Sequence, residues 1–242
     1  MTRIYVEQGL ALGAELNLPE AAAHHLVQVL RVRVGEMLTL FDGRGGEYAA
    51  EIVACERRRV GVRVQRRIDI DRESKLRLTL AQCVSKGERM DYTLQKAVEL
   101  GVSALVPLLS SRSVVKLDAE RWEKKLEHWR GVIVSACEQS GRTRVPTLAQ
   151  VEKLESWAAA GAAHSGLRLV LAPGASTTLK SLSPAQHITL LAGPEGGLSE
   201  DEIALVVRHG FTALSLGPRV LRTETAGVAA LAALQALSGD LG

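Results

Sequence analysis

The chain has 242 residues, enough for one large domain or two small ones with a sizeable core. Its net charge of +3 does not announce a nucleic-acid binder, although 22 arginines against 8 lysines fit either recognition of phosphates and bases by planar forks or simple genomic base composition. Cys55, Cys83 and Cys137 are far apart with no C-x-x-C, which argues against a disulfide framework or a zinc site, and no signal-peptide pattern or membrane-length apolar run is present, so a reducing, cytoplasmic location is expected.

Residues 1–72 read as a small β-rich domain. Residues 3–6 and 15–18 are short strand candidates, and Pro19 stands at the first position of a helix. Ala22, Leu26, Val29 and Leu30 form a helical stripe across residues 20–31, closed by Gly35. Residues 37–41 and 48–54 are strands joined by Asp42-Gly43-Arg44-Gly45-Gly46, a hairpin signal with a long loop. Val60, Val62 and Val64 alternate with Gly61 and Arg63, so a third strand turns its apolar residues to one face. Six arginines (Arg57, Arg58, Arg59, Arg63, Arg66 and Arg67) fall within residues 57–67 with no acid among them. Such a run steers phosphates or guards an edge strand against pairing with another sheet. Both readings stand on the residues alone.

Residues 68–75 form a charged linker, and beyond it the period changes. Residues 76–84 read as a strand, followed by a helical stripe of Met90, Leu94, Ala97 and Val98 that Gly101 ends. Residues 102–109 are a second strand. Trp122, Leu126, Trp129, Ile133 and Ala136 mark one face of a long helix closed by Gly141, and its tryptophans follow the buried period as core anchors. Leu148, Val151, Leu154 and Trp157 suggest a further helix. Residues 167–171 are a third strand, ending at Ala172-Pro173-Gly174. Alternating strands and helices predict an α/β domain with a mostly parallel sheet over 73–242.

Two loops near the end of the chain stand out. Residues 188–192 read as a buried strand that runs into Gly193-Pro194-Glu195-Gly196-Gly197, and Ser199 with Glu202 form a capping box for the next helix. Residues 213–216 are another strand, broken by Gly217-Pro218, before Leu221-Arg222-Thr223-Glu224-Thr225-Ala226 launches the last helix. Loops of this kind at the carboxyl ends of strands make the ligand crevice of an open α/β sheet. Neither has the pattern of a Walker loop or a G-x-G-x-x-G fingerprint. The last helix is apolar nearly all round, with Val228, Leu231, Leu234 and Leu237 at helical spacing, which suits deep packing or a subunit interface.

GPEGGLSEDE and LGPRVLRTETA resemble the two long signatures of the RsmE family, within the SPOUT class of RNA methyltransferases. HHLVQVLRV at 24–32, QKAVELGV at 95–102 and EQSGRTRVP at 138–146 extend the resemblance over most of the chain. The resemblance implies methylation of N3 of a uridine in the decoding region of 16S ribosomal RNA, free or in the assembled small ribosomal subunit. It implies S-adenosyl-L-methionine as cofactor, a homodimer, no metal and no membrane. The fold implied is a SPOUT-type trefoil-knotted α/β domain, 73–242, behind a PUA-like RNA-binding β-barrel, 1–72.

Carried onto this sequence, the cofactor would lie against Leu171, Ala172, Pro173, Leu191, Gly193, Gly196, Gly197, Leu198, Leu216, Gly217, Leu221, Arg222, Thr223 and Ala226. Arg222 would stabilise the anion that forms on the uracil, and Glu224 or Glu195 would accept the N3 proton or orient an arginine. Glu224 also reads simply as a first-turn acid favoured by the helix dipole. The RNA-binding candidates are Arg31, Arg33, Arg57, Arg58, Arg63, Arg66, Arg112, Gln139 and Arg142. Two other classes stay open: a SPOUT methyltransferase acting on transfer RNA or a ribose 2′-OH, and a non-catalytic RNA-binding protein of ribosome assembly.

Overall fold

The computed structural model describes residues 2–115, 117–161 and 166–242. By backbone proximity the chain divides into two units, Met1–Glu73 with Cys137–Val145, and Ser74–Ala136 with Pro146–Gly242. The segment Cys137–Val145 therefore groups with the first unit, although it interrupts the second in sequence.

The first unit contains β1 (Arg3–Tyr5), β2 (Glu15–Asn17), α1 (Glu20–His25), β3 (Met37–Phe41), β4 (Glu47–Glu56) and β5 (Arg59–Ile68). Its sheet runs β1-β3-β4-β5-β2, with β1 parallel to β3 and the other pairs antiparallel. Val60, Val62 and Val64 enter the core with Ile4, Leu26, Leu40 and Ile52, while Arg63, Arg66 and Arg67 stay exposed. The stripe read over 20–31 is not one regular helix. After α1 the chain makes a π-helical turn, Leu26–Leu30, and Arg31 ends it in the left-handed region at φ 54°. The wider turn rotates the stripe, so Ala23 and Leu26 are buried while Val29 and Leu30 face out.

Cys137–Val145 is fastened to this unit by charge. Glu73 accepts from the Arg142 guanidinium and from the backbone N–H groups of Thr143 and Arg144. Glu138 accepts from the Tyr5 amide, and Arg3 and Arg72 share the carboxylate of Glu47. Arg3 also lies over the Phe41 ring, 4.9 Å from its centre. The charged stretch expected to be a linker thus supplies two members of this network, Arg72 and Glu73.

The second unit is built from β6 (Arg77–Cys83), α2 (Glu88–Glu99), β7 (Ala104–Leu109), α3 (Ala119–Ser140, whose last residues belong to the first unit), β8 (Thr147–Leu148), β9 (Glu152–Lys153), α4 (Leu154–Ala159), β10 (Leu167–Leu171), β11 (Thr177–Thr178), β12 (His187–Ala192), α5 (Glu200–Arg208), β13 (Thr212–Ser215) and α6 (Thr223–Ser238). The sheet order is β11-β13-β10-β12-β6-β7-β8, with β9 also on β7, and these ladders are parallel. One expected helix is shorter than read. Leu148 lies in β8 and Val151 precedes β9, so only Leu154 and Trp157 belong to α4. Those short strands are held by main-chain pairing to β7, which needs no side-chain period.

Helices cover both faces of this sheet, and strand alternation decides which side chain meets which helix. Ala81 and Cys83 of β6 and Leu191 of β12 pack with Leu154 and Trp157 of α4 and Val206 of α5. Leu80, Gln82 and Ala192 lie instead beside Gly227 of α6, and α6 packs in turn on α2. β13 is inserted between β10 and β11, although residues 172–176 alone join those two strands. That short connection must pass the end of a strand laid down later in the sequence, and the Ala172 amide donates to Leu214 O where it does so.

Candidate active site

Because β13, β10 and β12 are neighbours, their carboxyl ends bring three loops to one edge of the sheet. Loops 171–173, 193–198 and 214–226 enclose a cleft of about 550 Å³, the size of a small-molecule site. Leu171, Leu198, Ile203, Leu214, Leu216 and Leu221 give it apolar walls. Gly197 and Gly217 turn the chain at φ 67° and 107°, where side chains are strained. Gly193 matters for another reason: a Cβ there would stand 3.0 Å from the Leu198 amide nitrogen, so any other residue would crowd the loop's own backbone. Arg112 braces its outer side, donating from Nη1 to Gly196 O at 2.9 Å.

The helix after this loop starts as read, with Ser199 and Glu202 forming a reciprocal capping box. Glu202 also accepts from the Ser111 amide at 2.7 Å. Burial pushes the Glu202 carboxyl up, but the N–H groups of Ser199 and Ser111 outweigh it and hold the group below its ordinary value.

Arg222 is the N-cap of α6, and its carbonyl accepts from the Thr225 and Ala226 amides. Its side chain lines the cleft, exposed, with no hydrogen-bond or ion-pair partner among the described residues. Thr223 Oγ1 donates to Gly193 O at 2.7 Å, joining the start of α6 to the glycine loop. Gln82 reaches the same point from the end of β6, with Nε2 at 3.1 Å from both Gly193 O and Thr223 Oγ1.

The two candidate carboxylates differ in what already holds them. Glu195 accepts from the Lys86 amide at 2.7 Å and from Arg89 Nη1 at 2.9 Å. Burial pushes its carboxyl up, but these donors more than offset that and leave it below the ordinary carboxylate value. Glu224 is less committed. Its Oε2 is buried without a hydrogen-bond partner among the described residues, and Arg89 Nε lies 3.9 Å away. Arg89 therefore stands between both carboxylates on the cleft wall.

The cleft gathers most of the expected cofactor residues: Leu171, Ala172, Pro173, Gly193, Gly196, Gly197, Leu198, Leu216, Gly217, Leu221, Arg222, Thr223 and Ala226. Leu191 is a correction. It is fully buried in the core cluster with Leu154, Trp157 and Val206 and does not line the cleft. Arg89, Ile203, Arg219 and Val220 also line the cleft and were not singled out from sequence. The capping-box pattern marked the helix that carries Ile203, but Arg89 had no comparable signal.

On the RNA side, Arg112 belongs to the cleft, while Arg31, Arg33, Arg57, Arg58, Arg66 and Gln139 are exposed within the first unit. Arg63 is exposed too, but pairs with Glu15 at 2.6 Å across the β2–β5 ladder. The acid missing from the run in sequence is thus supplied by the neighbouring strand. Arg142 is a second correction: it is buried with its guanidinium on Glu73, and withdrawing it to meet RNA would strand a carboxylate. Among the described residues no His, Cys, Asp or Glu cluster is arranged for a metal, and no helix is long and apolar enough to cross a membrane.

Comparison with known proteins also finds two domains. Residues 72–235 match the model of an RNA methyltransferase domain, and residues 18–65 that of an RNA methyltransferase PUA domain. The ribosomal RNA small subunit methyltransferase E of Mycobacterium tuberculosis is 35% identical, the match covering 97% of this chain and 91% of that protein. The protein of the same name from Bacillus subtilis is 29% identical over 99% of this chain and 100% of its own length. Among solved structures, a Legionella pneumophila chain assigned as a methyltransferase, with S-adenosylmethionine bound, superposes with a TM-score of 0.95 at 43% identity over 99% of each chain. The Neisseria gonorrhoeae ribosomal RNA small subunit methyltransferase E, also bound to S-adenosylmethionine, gives 0.91 at 39% identity over 100% of each.

Proposed function

Because this chain belongs to the RsmE family of RNA methyltransferases, we propose that it transfers the methyl group of S-adenosyl-L-methionine to N3 of one uridine in 16S ribosomal RNA. The observation that carries the reading is the cleft at the ends of β10, β12 and β13. Its volume and leucine walls suit a flat adenine, and its loop amides and carbonyls suit the polar edge of that ring. When bound, the cofactor supplies an electrophilic methyl group on a positively charged sulfur.

The protein's own residues would handle the charge and the proton. Loss of the N3 proton spreads negative charge over both uracil carbonyl oxygens. Arg222 would hold that charge, a reading supported by its exposed, uncommitted guanidinium in the cleft. Glu224 takes the proton, as the cleft carboxylate that accepts no hydrogen bond among the described residues. Glu195 is a positioning residue: its lowered pKa makes it a poor proton acceptor, and its bonds clip the glycine loop to Lys86 and Arg89.

We further propose that residues 1–72 grip RNA through Arg31, Arg33, Arg57, Arg58 and Arg66, helped by Gln139 of the same unit, while 73–242 carry out the transfer. The substrate is 16S ribosomal RNA, free or in the small subunit, and the working form is a cytoplasmic homodimer. Mass mapping of 16S ribosomal RNA from cells lacking the protein is the test. Loss of one methyl group at a uridine, restored by the wild-type chain and not by Arg222→Ala, is expected. An unchanged methylation map with saturable cofactor binding would move the target to another RNA. No saturable S-adenosylmethionine site in calorimetry would make the protein a pure RNA binder.

A further inference from the structure

Gln82 is a polar side chain in an otherwise apolar file. Leu78 and Leu80 precede it on the same side of β6, and all three are buried, Gln82 to 1% exposure. A leucine would fill this layer at no polar cost, whereas a buried amide needs partners. Nε2 of Gln82 lies 3.0 Å from Cys83 O, 3.1 Å from Gly193 O and 3.1 Å from Thr223 Oγ1. Two of these are carbonyl oxygens that only accept, so the amide nitrogen must face them. Oε1 is then turned towards Gly227, buried and with no donor among the described residues.

The result is a closed ring of three polar atoms. Gln82 Nε2 shares its two hydrogens among Cys83 O, Gly193 O and Thr223 Oγ1, and Thr223 Oγ1 itself donates to Gly193 O. Gly193 opens one cofactor loop, and Thr223 opens the helix that ends the other. The β6–β12 ladder pairs Gln82 with Ala192, the residue before Gly193, so the grip is made from the rigid sheet. Gln82 itself does not line the cleft.

We propose that Gln82 is a positioning residue that sets the separation of the two cofactor loops, and through it the affinity for S-adenosylmethionine, without touching the cofactor. The inference rests on the reading that this cleft holds S-adenosylmethionine. A ligand that spans both loops must bear the cost of ordering them unless they are already fixed, and the ring fixes them before it arrives.

Gln82→Met keeps length and packing and removes both N–H donors. Calorimetry is expected to show S-adenosylmethionine binding about tenfold weaker, as for the loss of one or two hydrogen bonds. With cofactor saturating, kcat should stay near wild type, so the change appears in KM. In the unliganded protein, amides of 193–198 and 223–226 should exchange with solvent faster, while the rest of the second unit is unchanged.

Thr223→Val breaks the ring from the other side and should weaken binding similarly. The double variant should be no weaker than the worse single one, because both remove the same ring. Gln82→Glu gives a pH readout, since its carboxylate faces two acceptors and only the protonated acid donates. Cofactor affinity of that variant should recover towards lower pH relative to wild type. Wild-type affinity and exchange in Gln82→Met, or additive losses in the double variant, overturn the proposal. A wild-type protein that binds no S-adenosylmethionine overturns the functional reading instead, and the exchange comparison in the unliganded protein still decides the loop strap.

Discussion

At the scale of single residues, the cleft carboxylates are separated by their bonds rather than by their positions in the sequence. Glu224→Gln is expected to lower kcat by roughly 10²- to 10⁴-fold, the usual contribution of a general base, with S-adenosylmethionine affinity little changed. Glu195→Gln should do the reverse, weakening cofactor binding as the loop loses its clip to Lys86 and Arg89. Paired single-turnover kinetics and calorimetry distinguish the two, and equal effects of both substitutions on kcat would refute the division of roles. Glu195 and Glu202 are both held below the ordinary carboxylate value of 4.5. Their stabilising contribution is complete above that value and is lost as pH falls through their lowered folded-state values. Thermal melts should therefore stay flat in this respect from neutral pH downwards and fall only in acid, and the acid loss should be smaller in Glu202→Gln. The glycine loops were legible in the sequence because backbone geometry demands those residues at Gly197 and Gly217. Gln82 and Arg89 were not, because a polar residue at a strand end or helix start looks like any solvated one. Only the folded neighbours show that Gln82 is buried among acceptors and that Arg89 bridges two acids.

At the scale of elements, long periodic segments were legible and short ones were not. The stripe of α2 and the alternation of β5 stand in the structure as read, and that of α3 does from Leu126 onwards, Trp122 being only half-buried, because burial on one face imposes a period on the sequence. β8 and β9 impose none, and the apolar residues around them were absorbed into a helix that begins only at Leu154. The π-helical turn is equally silent, since its extra residue shifts the stripe without changing composition. Two elements yield measurable consequences. Ser199→Ala removes the reciprocal cap of α5 and should cost about 1 kcal/mol in denaturant titration. On the arginine run, replacing Arg57, Arg58 and Arg66 by Gln should weaken RNA binding and make it less sensitive to salt. The log–log slope should fall by roughly 0.7–0.9 for each phosphate that is no longer neutralised. Arg63→Gln should matter less, because Glu15 already takes up its charge. An unaltered slope in the triple variant would make the run a guarded sheet edge.

At the scale of the whole molecule, the covering of α6 bears on assembly. Thr223, Gly227, Ala230, Leu231 and Leu234 are buried within the second unit, whereas Leu237 is 55% exposed, so the helix is core along one side and open at its end. The proposed dimer is tested by light scattering across a dilution series, and a strict monomer with full activity would refute it. The first unit carries its own test. Glu73→Ala takes away the carboxylate that pairs with the buried Arg142 guanidinium and accepts from two backbone N–H groups, and should destabilise the protein by about 3–5 kcal/mol. The same insertion of Cys137–Val145 into the first unit fixes a timetable for biosynthesis. A nascent chain delivers its domains in order, and each usually closes once its last residue leaves the ribosome. Here the amino-terminal unit cannot close when Glu73 emerges, because Glu73 and Tyr5 await Arg142 and Glu138. By the time Val145 appears, β6, α2, β7 and α3 have already been translated. The two units must therefore mature interleaved, and a chain arrested before Cys137 should leave residues 1–73 open to protease in a way that one arrested after Val145 does not.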